Sequence, residues 1–339
     1  MRKILVTLLT SYNLKCLQNS YNSIKNQYKS NLNYSILIVV NTLNDNYFLD
    51  VKNTFIDCEI IRTESNGSPG KGHNSVIKLF KETQEYDYLI PLDGDDILYP
   101  CALKRLEIYL QYNPDILMLP FSDLLKISYP ERVQHIGISN KCYLSFNNYL
   151  DMRTQWYNDK VSPFEYNINN VNTPARLFLM SRKGLDLNLY YDENMKWYDD
   201  CITFLQVFEA SIIHKNYNIF MLDDKDIYLY NMINNNSVSE QYKIDNERKK
   251  KEEEIHFRKS IFNKYLTIRD WNLKSIPFLT SDINLTFNII NKVTFVENII
   301  KNLDLEDIQI NKQYYNTFLD NAKIKKNKDS IELYTKHLD

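Results

Sequence analysis

The sequence has little glycine and little cysteine, with six glycines and five cysteines in 339 residues. The cysteines lie more than 40 residues from one another and form no C-x-x-C pair. This spacing excludes the dense disulfide framework of small secreted proteins and the paired thiolates of a zinc finger. We therefore expect reduced thiols in a cytoplasmic protein.

Two further features are missing: a long apolar run and an excess of charge of one sign. The longest apolar stretches, such as Ile4–Leu9 and Ile36–Val40, are far too short to cross a bilayer. Thr7 and Thr10 interrupt the stretch that follows Met1–Lys3, so no signal peptide is predicted. The formal net charge of −2 provides no basic field for nucleic acid, which we do not expect as a partner.

Short apolar runs alternate with amphipathic segments, as in an α/β domain. Hydrophobic residues make up 44% and charged residues 25% of the chain, which is enough to bury a substantial core. Strands are predicted at Lys3–Leu9, Tyr34–Val40, Cys58–Arg62, Tyr88–Leu92, Ile116–Pro120, Leu177–Met180, Ile219–Leu222 and Ile227–Tyr230. Helices are predicted within Leu14–Gln27, around Val76–Phe80, after Pro100 and over Cys201–Ile213. Strands separated by helices predict a mostly parallel mixed sheet with helices on both faces.

Ligands of such sheets bind beyond the carboxyl ends of the strands, where the connecting loops meet. The loops expected there are all polar: Thr10–Asn13, Asn41–Asp45, Thr63–Asn74 and Asp93–Asp96. The last loop has three carboxylates around Gly94, a costly arrangement unless a cation is present. Oxygen ligands favour Mg²⁺ or Mn²⁺, and a glycine lets the backbone approach a ligand closely. An acidic turn that only caps the next helix is the alternative.

The chain changes character after Glu240. In the segment Arg248–Glu254, lysines stand four residues before glutamates, which favours a solvated helix over a nucleic-acid patch. We expect residues 241–339 to form a mainly helical extension. Three roles are open for it: association of two copies, contact with a membrane surface, or bracing of the domain. Its mixed charge disfavours strong membrane binding.

Six short motifs follow one another in an order typical of one enzyme family. They are Leu8–Asn13, Leu17–Gln27 with its final Ser-x-x-x-Gln, Glu64–Gly67 with Lys71–Asn74, Asp93–Asp96, Tyr191–Glu193 with Trp197–Asp200, and Tyr228–Tyr230 with Asn236–Ser239. Together they resemble the inverting glycosyltransferase family 2, whose catalytic domain has the nucleotide-sugar-binding GT-A fold. The resemblance covers residues 1–240, which we predict to be one GT-A domain.

The resemblance implies metal-dependent transfer of a sugar from a nucleotide-sugar donor, with UDP favoured. The acceptor would be a hydroxyl of a glycan, a lipid-linked sugar or a protein, and the anomeric configuration would be inverted. Asp95 would ligate Mn²⁺ or Mg²⁺, and Asp93 would contact the metal or the ribose. Asp200 would be the general base, next to Asp199 at the start of a helix.

Other positions take their roles from the same resemblance. The nucleotide-sugar site would comprise Thr10, Ser11, Tyr12, Asn41, Asn66, Lys71, Asn74, Asp93 and Gly94. Lys71 would stand in place of the family's arginine and add positive charge at the phosphates. Trp197 and Tyr198 would stack on the acceptor sugar.

Three departures from the family pattern keep alternatives open. Asn41 stands where the family has paired aspartates, Asn231 replaces an arginine, and no histidine lies near Ser237. A retaining GT-A transferase would keep the metal site without needing a base at Asp200. A non-catalytic carbohydrate-binding protein on a decayed transferase domain is the other alternative. A sugar nucleotidyltransferase is disfavoured, because no glycine-rich loop follows the first strand.

Overall fold

The computed structural model describes residues 2–120, 138–139, 175–195, 199–200, 202–203, 206–207, 210, 214, 216–222, 226–230 and 306–317. Ten strands are described: β1 Lys3–Thr10, β2 Asn33–Val40, β3 Glu59–Arg62, β4 Tyr88–Asp93, β5 Ile97–Leu98, β6 Ile116–Pro120, β7 Ile138–Ser139, β8 Ala175–Ser181, β9 Ile219–Leu222 and β10 Tyr228–Leu229. The helices are α1 Leu14–Lys25, α2 Asp45–Thr54, α3 Pro69–Glu82, α4 Ala102–Leu110, a 3₁₀ helix at Lys183–Leu187 and a further helix at 306–317.

Eight of the described strands form one mixed sheet in the order β3-β2-β1-β4-β8-β6-β9-β7. The pairs β1/β2, β2/β3, β1/β4 and β6/β9 are parallel, whereas β8 runs antiparallel to both of its neighbours, β4 and β6. Strands β10 and β5 form a separate antiparallel pair. The predicted α/β class and the mostly parallel mixed sheet are therefore confirmed.

Both faces of the sheet are covered by helices, and each helix buries one apolar side. On one face, α1, α2 and α4 pack on a core that includes Ile4, Val6 and Leu8 of β1. On the other face, Val76 and Phe80 of α3 pack against Leu5 and neighbouring strand residues. The alternation along β1 is the period of two that a buried strand requires.

Two predictions about local structure were wrong. Residues 69–74 were placed in a loop, but they belong to α3, because the Ser68 hydroxyl caps the Lys71 N–H and Pro69 occupies the first turn. Helix α2 was missed altogether. Its apolar content is low, and only Tyr47 and Val51 are buried, so the sequence carries almost no helical periodicity there.

One polar side of α1 follows the chain that leaves β4. The Ser20 hydroxyl donates to the carbonyls of Gly94 and Asp96, and the Ser23 hydroxyl accepts from the Leu98 N–H at 3.1 Å. Gln27 continues the row, donating to the Tyr99 carbonyl at 2.8 Å. These contacts give the Ser-x-x-x-Gln pattern a physical role: α1 fixes the acidic loop and its exit.

The helix at 306–317 packs against α4 with a polar but buried side. It is the described part of the predicted extension, whereas the boundary near residue 240 lies outside the described residues. Among the residues that the model describes, no helix combines the length and apolarity needed to span a membrane.

We expect Ser20→Ala to lower the free energy of unfolding by about 1–2 kcal/mol, because two buried carbonyls lose their donor. Ser75→Ala is the matched control, since the Ser75 hydroxyl donates only to the Lys71 carbonyl of its own helix. Urea unfolding of both variants measures the difference. Equal stability of the two variants would contradict the role assigned to Ser20.

Candidate functional site

The acidic loop lies where the strand order reverses. β1 pairs with β2 on one side and with β4 on the other, so the chain leaves their carboxyl ends in opposite directions. The Gly94 N–H donates to the Leu9 carbonyl at 2.7 Å, which places the loop directly on the end of β1. A Cβ at position 94 would lie 2.9 Å from the Thr10 Cβ, closer than carbon atoms pack. Glycine is therefore required here by a close approach between protein segments.

Arg176 of β8 supplies a positive charge at this loop. Its guanidinium donates from Nη1 to Asp96 Oδ2 at 2.9 Å and from Nη2 to Asp93 Oδ2 at 3.0 Å. The guanidinium also lies over the ring of Tyr228, with 4.4 Å to its centroid, and the Tyr228 hydroxyl donates to Asp96. Arg176 is buried, and the two carboxylates keep its pKa above the usual value despite the opposing effect of burial.

The three carboxylates of the loop have different surroundings. Asp96 is only 2% exposed and bonds to buried side chains, whereas the Asp93 side chain is 30% exposed. Burial by itself would raise the pKa of Asp93, but the charge of Arg176 outweighs it and holds that pKa below the usual range. Asp95 is partly buried, and its Oδ2 accepts a hydrogen bond from the Tyr12 hydroxyl at 3.4 Å. Asp93 and Asp95 are thus the members that a ligand can reach.

His73, on the first turns of α3, contacts the acidic loop, and the sequence prediction missed it. Its Nε2 lies 3.5 Å from Asp93 Oδ1, and its ring stacks on Tyr191 at a centroid distance of 4.4 Å. Burial lowers the pKa of His73, which favours the neutral imidazole. The Lys71 Nζ lies 4.0 Å from Glu64 Oε2, and its contact with the phosphates stays a prediction. Because α3 begins at Pro69, Lys71 and His73 lie two residues apart on a helix, and their side chains leave it in different directions.

A second acidic pair lies within electrostatic reach of the first. Asp199 and Asp200 are both helical, and the three residues before them, which would define the start of the helix, lie outside the described residues. Asp199 is 7% exposed, and its Oδ2 has no hydrogen-bond partner. Burial, and then the negative charges of Asp200 and Asp93, raise the pKa of Asp199 well above its usual value. Trp197 and Tyr198, the predicted acceptor residues, lie outside the described residues.

Three asparagines of the predicted nucleotide site hold loops together. Asn41 is buried and donates to the Ser68 carbonyl at 3.2 Å. Asn66 donates to the Glu193 carbonyl at 3.2 Å. Asn74 donates to the Tyr191 carbonyl at 2.9 Å and accepts from the Tyr191 N–H at 2.8 Å. Their amides join the ends of β2, α3 and the 191–193 segment, and direct contact with a nucleotide stays a prediction.

The end of β1 carries the remaining predicted nucleotide contacts. The Thr10 hydroxyl bonds to the Tyr47 hydroxyl of α2, and Tyr47 also donates to the Tyr12 carbonyl at 2.9 Å. Ser11 is partly exposed at the same edge. Helix α2, which was not predicted, therefore shapes the turn after β1.

The donor set suits a divalent cation only in a limited way. No group of three or more His, Cys, Asp or Glu side chains is arranged to hold a metal within the described part of the chain. Asp95 and the exposed part of Asp93 offer one or two carboxylates. This is the number that Mg²⁺ sites commonly take from a protein when substrate phosphates and water complete the coordination.

Comparisons with known proteins give only distant likenesses. No family model matches the chain, and no curated protein matches it. Among solved structures, it is similar to S. aureus TarS with 18% identity and a TM-score of 0.42, over 67% of this chain and 36% of that one. TarS 1-349 in complex with UDP (18% identity, TM-score 0.44) and with UDP-GlcNAc (18%, 0.43) covers the same 67% of this chain.

The chain spans between 36% and 60% of the length of these solved chains. Overlap of this quality does not define the chemistry of the present site, which its own residues must carry.

We expect Arg176→Met to lower the free energy of unfolding by about 3–5 kcal/mol, because Asp93 and Asp96 lose the cation between them. Arg176→Lys should lower the free energy of unfolding by less, because lysine keeps the positive charge but cannot bond to both carboxylates as the forked guanidinium does. Chemical denaturation compares the three proteins. A methionine variant as stable as the parent would show that another group neutralises the loop.

Asp199→Asn should raise the melting temperature at neutral pH. Because the folded pKa of Asp199 lies above the unfolded value, its ionisation disfavours the folded state, and the gain should vanish as pH falls toward 3.8, the usual pKa of an aspartate. Melting curves between pH 4 and 8 test this, with Asp57→Asn as an exposed control. A gain that does not change with pH would contradict the assignment.

Proposed function

We propose that this chain is a nucleotide-sugar glycosyltransferase with a GT-A type domain. The observation that carries the proposal is the meeting of two acidic groups at one edge of the sheet. Asp93 and Asp95 lie at the end of β4. The Asp199–Asp200 pair is near enough that, after burial, the negative charges of Asp200 and Asp93 raise the pKa of Asp199. Transfer of a sugar needs both a site for a charged leaving group and a base for the acceptor.

The donor half of the proposed site comprises the ends of β1 and β4. Asp95, with help from Asp93, would hold Mn²⁺ or Mg²⁺. When bound, such a cation supplies positive charge that stabilises a departing diphosphate. The contact of the Tyr12 hydroxyl with Asp95 supports Tyr12 as the residue whose ring would border the nucleotide. We favour a UDP-sugar as donor.

The acceptor half is assigned to Asp200. This carboxylate is partly exposed, whereas Asp199 is buried, so Asp200 is the member that an acceptor can approach. It would remove the proton from an acceptor hydroxyl as that oxygen attacks the anomeric carbon from the side opposite the leaving group, which inverts the configuration. The acceptor class proposed is a glycan or a lipid-linked sugar, with Trp197 and Tyr198 as stacking groups.

A non-catalytic carbohydrate-binding role is the second candidate, and Arg176 is the observation that favours it. The guanidinium already offsets part of the negative charge of Asp93 and Asp96, so the acidic loop depends less on a bound cation for its stability. Under this alternative the sheet edge would bind a sugar but would release no nucleotide.

We expect one nucleotide among UDP, GDP, dTDP and CMP to raise the melting temperature when Mn²⁺ is present. A ligand at 100 times its Kd adds about 2.7 kcal/mol of stability. Asp95→Asn should abolish the shift, because the proposed metal ligand is lost. Asp50→Asn, on the exposed side of α2, should leave it unchanged.

The absence of any nucleotide-dependent shift in the parent protein would count against the transferase. A sugar-dependent shift without a nucleotide-dependent one would support the binding-only alternative.

A further inference from the structure

Helix α4 begins without a cap of its own. Cys101 occupies the N-cap position, and its side chain makes no capping hydrogen bond. A thiol is a weak acceptor compared with the hydroxyl, amide or carboxylate oxygens that usually fill this position. Other segments therefore serve the start of α4: the Ala102 N–H donates to the Tyr99 carbonyl at 3.0 Å, and the Leu103 N–H donates to Gln27 Oε1 at 2.8 Å. The N–H of Cys101 itself still needs an acceptor.

The helix at 306–317 supplies that partner. Asn311 Oδ1 accepts from the Cys101 N–H at 3.3 Å, and the Cys101 thiol contacts the Asp307 carbonyl at 3.8 Å. The Asp307 carboxylate pairs with Lys104 in the first turn of α4. A carboxylate beside a helix N-terminus is favourable because the helix dipole is positive there. Asp307 and Asn311 are both fully buried, so this side of the helix is committed to α4.

Contacts at both ends of the helix at 306–317 hold it against the amino-terminal part of the chain. Glu306 accepts from the Tyr28 hydroxyl at 2.5 Å and pairs with Lys29 at 3.0 Å. At the other end, the Tyr314 ring meets the Tyr99 ring edge-on at a centroid distance of 6.1 Å. Apolar and polar contacts thus fix the rotation of the helix, which brings Asp307 and Asn311 to α4.

The capped residue lies only a few positions beyond the acidic loop. From Asp96 the chain passes through β5 to Tyr99, Pro100 and Cys101. On one side, Gln27 donates to the Tyr99 carbonyl, and the Tyr28 N–H donates to the Pro100 carbonyl at 2.7 Å. On the other side, Asn311 holds the very next N–H. The exit of the acidic loop is therefore held between α1 and the C-terminal helix.

We infer that Asp307 and Asn311 are positioning residues for the acidic loop, through the cap that they give to α4. The helix at 306–317 then belongs to the working unit of the protein. Only the nucleotide measurement below rests on the proposed function; the exchange measurement does not.

Hydrogen–deuterium exchange of the full chain tests the inference. Asn311→Ala should make the Cys101 amide, which donates to Asn311 Oδ1, exchange about fivefold faster, the effect of losing one hydrogen bond at a helix start. The amides of Gly94, Asp96 and Leu98 should also exchange faster, because the loop loses its anchor. Asp307→Asn, which keeps the shape of the side chain and removes its charge, guards against a variant that fails to fold. Gln309→Ala, on the exposed side of the same helix, is the control and should change neither segment.

Faster exchange confined to residues 101–105 would overturn the inference, since the cap would then be local to α4. Unchanged exchange in both segments would overturn it as well. If the parent binds a nucleotide, Asn311→Ala should weaken that binding roughly threefold or more at a temperature where it is fully folded. Failure of the parent to bind any nucleotide would count against the proposed function, and the exchange result would still decide the role of the helix.

Discussion

The placement of Arg176 between two carboxylates is the constraint on which the rest of this sheet edge depends. Aspartates at the end of a buried strand repel one another unless a positive charge lies within a few ångströms. Strand β8 delivers that charge because it runs antiparallel between β4 and β6, so its first residues lie beside the last residues of β4. The same guanidinium contacts Tyr228 and so joins the small β5/β10 pair to the main sheet. Charge and topology therefore support each other here.

Neutralisation also divides the work among the carboxylates. Asp96 turns inward to Arg176 and Tyr228, and its backbone carbonyl is held by Ser20 of α1. With the loop fixed in this way, Asp95 can present a charge at the edge of the sheet. The surrounding loops are fixed by Asn41, Asn66 and Asn74. Amide side chains both donate and accept, so they can join segments that share no strand pairing.

Much of the fold could be predicted from the sequence, because buried parallel strands are short apolar runs with clear ends. β6 and β9 were predicted with their observed limits, and the acidic loop was expected at the carboxyl end of β4. Arg176 could not be found in this way, since it lies 83 residues from Asp93 in the chain and meets it only through an antiparallel strand. His73 was missed for a local reason: residues 69–74 were taken as a loop, so helical spacing could not be used to place position 73 beside Asp93. Polar helices such as α2 and 306–317 bury too few apolar residues to show a strong period.

The long separation between the acidic loop and its arginine has a consequence for biosynthesis. Asp96 leaves the ribosome 80 residues before Arg176, an interval of roughly 4–16 s at ordinary rates of translation. During that time β1, β2 and β4 are available, but Asp93 and Asp96 lack the guanidinium that joins them. Strands β1, β2 and β4 also lack the strand that pairs with the open edge of β4 until β8 follows. A pause in translation upstream of β8 would prolong the exposure of their apolar faces to chaperones and to aggregation.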